Sequence, residues 1–301
     1  MNFTEIFLVI PFFLATKIVF DADELLYYVN LGPEYIFNLQ VTTETYMRSK
    51  QVQYKDVFST LKCRPKMSDS LLCHLQYFKT FDEQIEFDES DTSLSTSAIF
   101  EMKFNESGVE RILTNSSDPF KRELMQKIAK QLSTGIDVQR NFNGSSINYS
   151  IDKTPTLKCR TTYNITYLEP KIKMAKRNTN FQFAILPMFV LKPDSIFMIR
   201  NLAANCEYNW VWTPWDTTSS AVKYSGAIQI NDKFESWTEF IDSKIKFNRQ
   251  DILQTIYVKE TIRLSLESVK PAQCGLVNIF NGSWFSPHIN FMYKNMPINM
   301  N

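Results

Sequence analysis

Ile99-Phe-Glu-Met-Lys-Phe-Asn-Glu-Ser-Gly-Val-Glu-Arg-Ile-Leu113 runs through Thr114-Asn-Ser-Ser-Asp118 into Pro119-Phe-Lys-Arg-Glu-Leu-Met-Gln-Lys-Ile-Ala-Lys-Gln-Leu132. Phe100, Met102 and Phe104 alternate with Glu101 and Lys103, the two-residue period of a half-buried strand. Asn105 to Gly108 is turn chemistry, and Val109, Ile112 and Leu113 resume an apolar run. Asp118 before Pro119 starts a helix: the carboxylate accepts from open amides, and proline has no amide to leave unpaired in the first turn. Phe120, Leu124, Ile128 and Leu132 then recur every four residues, with Met125 and Ala129 widening the stripe, and Gly135 suits the left-handed residue that ends a helix. The stretch predicts a strand pair feeding one amphipathic helix whose stripe is buried.

The rest of the chain reads as strands. Tyr35, Phe37, Leu39 and Val41 alternate with polar residues, as do Val57, Ser59, Leu61 and Cys63. After the polar turn from Pro65 to Asp69, Leu71, Cys73, Leu75 and Tyr77 share a face, so both cysteines of this hairpin fall on its apolar side near the turn. A Cys63–Cys73 bridge is geometrically open to them, and two buried thiols are the other outcome. Asp82 to Ser97 reads as an acidic, serine-rich loop and Asn141 to Ser150 as a polar surface loop. Cys159 to Leu168 alternates, with Asn164 on the polar face. Phe181 to Leu191 is nearly all apolar and reads as a strand buried on both faces, while Asp232 to Ile245 fits a helix as well as a strand. Ile256, Val258, Ile262, Leu264 and Leu266 mark a late strand whose apolar face is broken only by Glu260. At least eight strands and one firm helix, without βαβ alternation, predict a mainly β fold: an antiparallel β-barrel with one central amphipathic helix.

Composition excludes several classes. Seven glycines and 24 phenylalanines in 301 residues are not those of a disordered chain. A formal charge of +1 gives no global field for nucleic acid. Ile6-Phe-Leu-Val-Ile-Pro-Phe-Phe-Leu-Ala15 has the length of a secretory signal and is too short to span a bilayer; a buried N-terminal strand is the alternative. We expect residues 1–20 to be the signal peptide and 21–301 the barrel domain, with no membrane anchor. Beyond the leader, Asn-X-Ser/Thr sequons stand at Asn105, Asn115, Asn143, Asn148, Asn164 and Asn281, which fits a secreted, extracellular glycoprotein. The five cysteines, Cys63, Cys73, Cys159, Cys206 and Cys274, form no Cys-X-X-Cys pair, so no zinc site is expected; two disulfides and one thiol is the natural count.

Two stretches together resemble the amino-terminal barrel of the vitellogenin family of large lipid transfer proteins. One is the strand pair from Phe100 to Leu113 with the Pro119–Leu132 helix; the family has such a pair leading into a helix that plugs its barrel. The other is Cys159-Arg-Thr-Thr-Tyr163 with Ile199-Arg-Asn-Leu-Ala-Ala-Asn-Cys206. The resemblance covers roughly Tyr35 to Val269 and implies a Cys159–Cys206 disulfide, lipid binding or transport, and an acidic-repeat receptor of the lipoprotein-receptor kind as partner. The interval between Cys159 and Cys206 is longer than the family's, through an insertion holding Lys171, Lys173, Lys176 and Arg177 beside the apolar 181–191 stretch. This sequence ends where the family continues into a helical horseshoe and lipid-cavity sheets, so bulk lipid enclosure is not expected of it.

Lys171, Lys173, Lys176 and Arg177 are candidates for a receptor's acidic repeats or a lipid head group; a solvated loop or a dibasic processing point are the plain alternatives. Tyr208, Trp210, Trp212 and Trp215 read as a lipid-facing rim or as loop anchors. His74 is placed on the polar face of its strand, and His288 in a proline-containing tail. No nucleophile elbow, phosphate loop or dinucleotide fingerprint occurs, so no catalytic residue, metal or cofactor is assigned and no enzyme is expected. The rivals to lipid binding are a partner-binding module without lipid cargo and a nutrient reservoir.

Overall fold

The computed structural model describes residues 4–10, 14–20, 33–46, 52–67, 69–82, 97–105, 108–135, 146–153, 157–168, 181–185, 189–190, 196–208, 217–231, 233–247, 253–272, 279 and 282–286. The strands are β1 (Thr4–Ile10), β2 (Leu14–Phe20), β3 (Pro33–Tyr46), β4 (Val52–Met67), β5 (Ser70–Asp82), β6 (Ala98–Asn105) and β7 (Gly108–Thr114). The helix α1 (Pro119–Gln131) follows, then β8 (Ser146–Lys153), β9 (Leu157–Leu168), β10 (Phe181–Ile185), β11 (Phe189–Val190) and β12 (Ile196–Tyr208). The chain closes with β13 (Thr217–Ile230), β14 (Phe234–Phe247), β15 (Leu253–Pro271) and β16 (Ser283–Phe285).

Twelve strands make one antiparallel sheet in the order β16-β7-β6-β5-β4-β3-β15-β14-β13-β12-β9-β8. It is two meanders joined along β3 and β15, whose register sets Val41 opposite Ile262, Leu39 opposite Leu264 and Phe37 opposite Leu266. Alternation carries every second residue inward, so Phe37, Leu61, Cys73, Phe100, Tyr163, Phe197, Ile228 and Leu264 belong to one continuous core. Register shifts in the pairings of β4 with β5, β6 with β7, β9 with β12, β13 with β14 and β3 with β15 bend these long strands around that core.

The antiparallel, mainly β reading holds, but barrel closure does not. Among the described residues no pairing joins β16 or β7 to β8, and the sheet keeps two edges. What fills the inner face is the helix. α1 packs chiefly against β7, β15, β14 and β6, and just beyond it Gly135, at φ 80°, lies so close to the Tyr163 hydroxyl of β9 that a Cβ there would collide with it. The helix, a rod about 10–12 Å across, thus lies along the inner face of the sheet, which curls around it without its two edges pairing.

Local chemistry explains the helix ends. The Asp118 carboxylate accepts from the Phe120 amide at 2.9 Å, with Pro119 at the first position. At the other end Ser133 Oγ donates to the Ala129 carbonyl at 2.8 Å and accepts from the Val109 amide at 2.9 Å. Gly108, at φ 132°, lets β7 pass against Ser133, whose Cα would lie 2.4 Å from any Cβ added there.

The stripe reading needs one correction. Leu124, Met125, Ile128, Ala129 and Leu132 are buried, but Phe120 is 42 % exposed. It stands in the first turn, ahead of the part of α1 that the sheet wraps. The Asp232 to Ile245 ambiguity resolves as strand β14. Asn141 to Ser150 is in part strand, since β8 begins at Ser146 and pairs with β9. Val57, Ser59, Leu61 and Cys63 face inward as expected, and β5 runs on to Asp82.

Cys63 and Cys73 are directly opposed in the β4–β5 register and form a disulfide. It lies on the inner face near the β4–β5 turn, flanked in register by Tyr35 of β3 and Phe100 of β6. Replacing both cysteines with alanine should lower unfolding stability by about 2–4 kcal/mol, from the lost restraint on the unfolded chain. Urea denaturation of wild type and double variant, both under non-reducing conditions, measures it.

A second sheet, β1-β2-β10-β11, pairs the N-terminal apolar run with the apolar 181–191 stretch: Thr4 to Ile10 runs against Leu14 to Phe20, and β2 against β10. The 181–191 stretch therefore forms two strands, β10 and β11. Among the described residues no helix is long and apolar enough to cross a membrane.

Candidate functional site

The concave side of the large sheet is where polar chemistry meets the core. Glu260, the single charge breaking the apolar face of β15, is 5 % exposed and receives a 2.6 Å ion pair from Lys127 of α1. Lys127 also pairs with Glu123 one turn earlier, at 2.7 Å. One turn later Gln131, fully buried, donates through Nε2 to Thr238 Oγ1 at 2.7 Å and accepts from Ser236 Oγ at 2.8 Å. These groups pin α1 to β14 and β15 by satisfied polar contacts, because a buried donor or acceptor left unpaired is costly.

Beside this anchor a cleft opens between the end of α1 and β12 to β14. Lys130, Ser133, Thr134, Ile199, Tyr224 and Ile228 contribute to its lining. The Lys130 ammonium sits 4.2 Å from the centre of the Tyr224 ring, a cation–π contact. At about 10 Å³ the space holds no more than about one water, so it is a packing gap beside a cation and not a ligand pocket. No cluster of three or more metal-ligating side chains occurs among the described residues.

The convex side carries a feature that sequence periodicity did not single out. Tyr46, Tyr54, Phe58, Trp237 and Tyr257 are exposed there. Tyr46 and Tyr257 are directly paired, and Arg263 stands in register between Trp237 and Gln40, which in turn faces Phe58. Tyr46 donates to the Glu44 carboxylate, and that bond, with the nearby charge, pushes its pKa up to about 12. The only sequence signal for this strip is a set of aromatics at polar positions of otherwise alternating strands.

His74 is on the outward face of β5, opposite Lys62 and Ile99. Partial burial and then the Lys62 charge lower its pKa, against an opposing pull from Glu34. The fold therefore favours neutral His74. Its contribution to stability is present above the unfolded value near 6.5 and is lost as pH falls through the folded value. We expect His74→Gln to flatten the stability profile below about pH 6.5; urea midpoints across that range measure the change.

The other sequence candidates fall as follows. Asn105, Asn115 and Asn164 are exposed, Asn148 stands in β8, and Asn143 and Asn281 lie outside the described residues. Cys159 and Cys206 are on adjacent strands, β9 and β12, where the register shifts between Ala204 and Glu207; their side chains lie outside the described part. Lys171, Lys173, Lys176, Arg177, Cys274, His288, Trp210, Trp212 and Trp215 also lie outside the described residues. Tyr208 is in β12, with its side chain outside them.

No protein-family model matches the sequence, and no curated protein matches it. Solved structures that match weakly include the following two. One, of lipid–protein interactions in lipovitellin, has a TM-score of 0.47 and 8 % identity over 83 % of this chain and 26 % of that one. The other, a mutant porin of Rh. blastica, has a TM-score of 0.25 and 6 % identity over 77 % of this chain and 100 % of that one. The chain spans about a quarter of the lipovitellin chain.

Proposed function

We propose that this protein is a secreted glycoprotein that binds or carries lipid without catalysing a reaction. The observation that carries the reading is the open sheet. Its inner face is apolar from β6 through β9, and its two edges are not hydrogen-bonded to each other among the described residues. A seam of that kind admits an acyl chain without breaking any ladder hydrogen bond. The Cys63–Cys73 disulfide suits an oxidising compartment, and the strand-pair and helix resemblance to the vitellogenin amino-terminal module points the same way.

Mass spectrometry of lipids extracted from the full chain, purified after secretion from animal cells, tests the reading. A lipid class enriched near one per chain is the expected result. Its absence, together with failure to take up fluorescent fatty acid or phospholipid, would overturn it.

The exposed aromatic strip of the convex face favours a second reading, a partner- or receptor-binding module. Lys171, Lys173, Lys176 and Arg177 serve either reading through charge. Neutralising all four should leave the melting temperature unchanged and weaken binding to anionic vesicles or to an acidic receptor repeat, most strongly at low salt. Unchanged binding to both would return the run to a solvated loop.

A further inference from the structure

The sequons have a pattern that the fold makes visible. Asn105 ends β6, Asn115 follows β7, and Asn281 precedes β16 by two residues. Those three strands are one end of the large sheet. Asn164 is in β9, Asn148 in β8, and Asn143 precedes β8 by three residues; those two strands are the other end. The seven strands between them, β5, β4, β3, β15, β14, β13 and β12, carry none. Exposed asparagine is not excluded from the centre, since Asn38 of β3 is exposed, but it is followed by Leu39-Gln40 and is no acceptor.

The two ends share a physical problem. An edge strand presents a row of unpaired amides and carbonyls, a template for adding another chain. The end at β16 is only three residues long, so β7 from Gly108 to Arg111 has no described strand on that side. At the other end β8 offers eight residues, Ser146 to Lys153, with no described strand beyond it. A second backbone must come within about 4.8 Å to pair. A bulky, hydrated glycan at an edge residue or the adjoining turn stands in that path. Among the described acceptors, Asn105 and Asn115 are exposed beside the β7 edge, and Asn164 is exposed one strand in from the β8 edge.

We propose that N-glycans at these sequons guard the two open edges of the sheet against strand pairing with a second copy of the chain, leaving the central convex face uncovered. The proposal rests on the secretory reading. It gives the open sheet a means of staying monomeric without closing, and it keeps the Trp237–Phe58–Tyr46 strip accessible.

The test uses the full chain secreted from animal cells. Glycopeptide mass spectrometry first reads occupancy. The folded protein is then deglycosylated enzymatically, which avoids any failure to fold without sugar, and its mass is followed by light scattering over a concentration series. The expected result is occupied sites at both ends and a shift from one-chain mass to multiples of it after sugar removal. Amide exchange should slow at β7 and β8 in the assemblies. Location is separated from general solubility by two variants. Asn105→Gln, Asn115→Gln, Asn143→Gln, Asn148→Gln, Asn164→Gln and Asn281→Gln together should associate. Adding Gln40→Thr, which makes Asn38 an acceptor on the central face, should not restore the monomer. Unoccupied sequons would overturn the secretory reading and the proposal with it. Occupied sequons with an unchanged monomer after deglycosylation, or rescue by the Asn38 glycan, would overturn the edge-guard proposal alone.

Discussion

Lys127→Ala is expected to destabilise the fold by about 3–5 kcal/mol, the range for breaking a buried pair from one side. Truncation removes the cation that meets Glu260 and leaves a carboxylate 5 % exposed on the inner face of β15. The reciprocal change should cost less. Glu260→Ala leaves Lys127 still paired with Glu123, whose side chain reaches solvent. Replacing both, Lys127→Met with Glu260→Leu, should recover most of the loss, because an apolar pair needs no desolvation of charge. Chemical denaturation of the three variants decides it. Losses below about 1 kcal/mol for Lys127→Ala would mean the pair behaves as a solvated surface contact, and the anchoring of α1 to the sheet would need another source.

The same pair shows what the sequence could and could not convey. Glu260 was legible as the one charge on an apolar strand face, and Lys127 as a helix residue beside the stripe. Nothing local joins them, since 133 residues separate the two. Strand identity was legible because alternation is a local consequence of the pleat. Phe100, Met102 and Phe104 are buried as their period requires, and Cys63 opposes Cys73 as the hairpin register requires. Closure was not legible. Whether β7 meets β8 is set by how distant elements pack, such as Gly135 against Tyr163, and by register shifts such as that at Leu266 and Ser268, none of which has a two-residue signature. The helix–strand ambiguity at Phe234, Trp237 and Ile241 had a related cause. Phe234 faces the core while Trp237 and Ile241 decorate the outer face of a strand, so their spacing imitates a helical stripe. Trp237, one of the exposed aromatics of the outer face, was thus also a residue that confused the periodicity.

Three stripe residues of α1, Phe120, Leu124 and Ile128, should separate sharply on truncation. Leu124 and Ile128, at 3 % and 0 % exposure, lie in the continuous core between the sheet's inner face and the helix. Leu124→Ala and Ile128→Ala should each cost about 2–5 kcal/mol, the transfer of the lost methylenes plus the cavity they leave. Phe120→Ala should stay within about 1 kcal/mol, because a ring that is 42 % exposed gives up little burial. Equal effects at all three positions would contradict the placement of the helix start. A further outcome bears on function. If α1 lay on a membrane surface instead of inside the sheet, all three truncations would weaken vesicle binding and spare the melting temperature. In the fold described here the order reverses. Leu124→Ala and Ile128→Ala lower the melting temperature, and lipid uptake by the fraction still folded is retained. The helix is then scaffold for the apolar seam, and whatever lipid the protein carries meets the strands beside it.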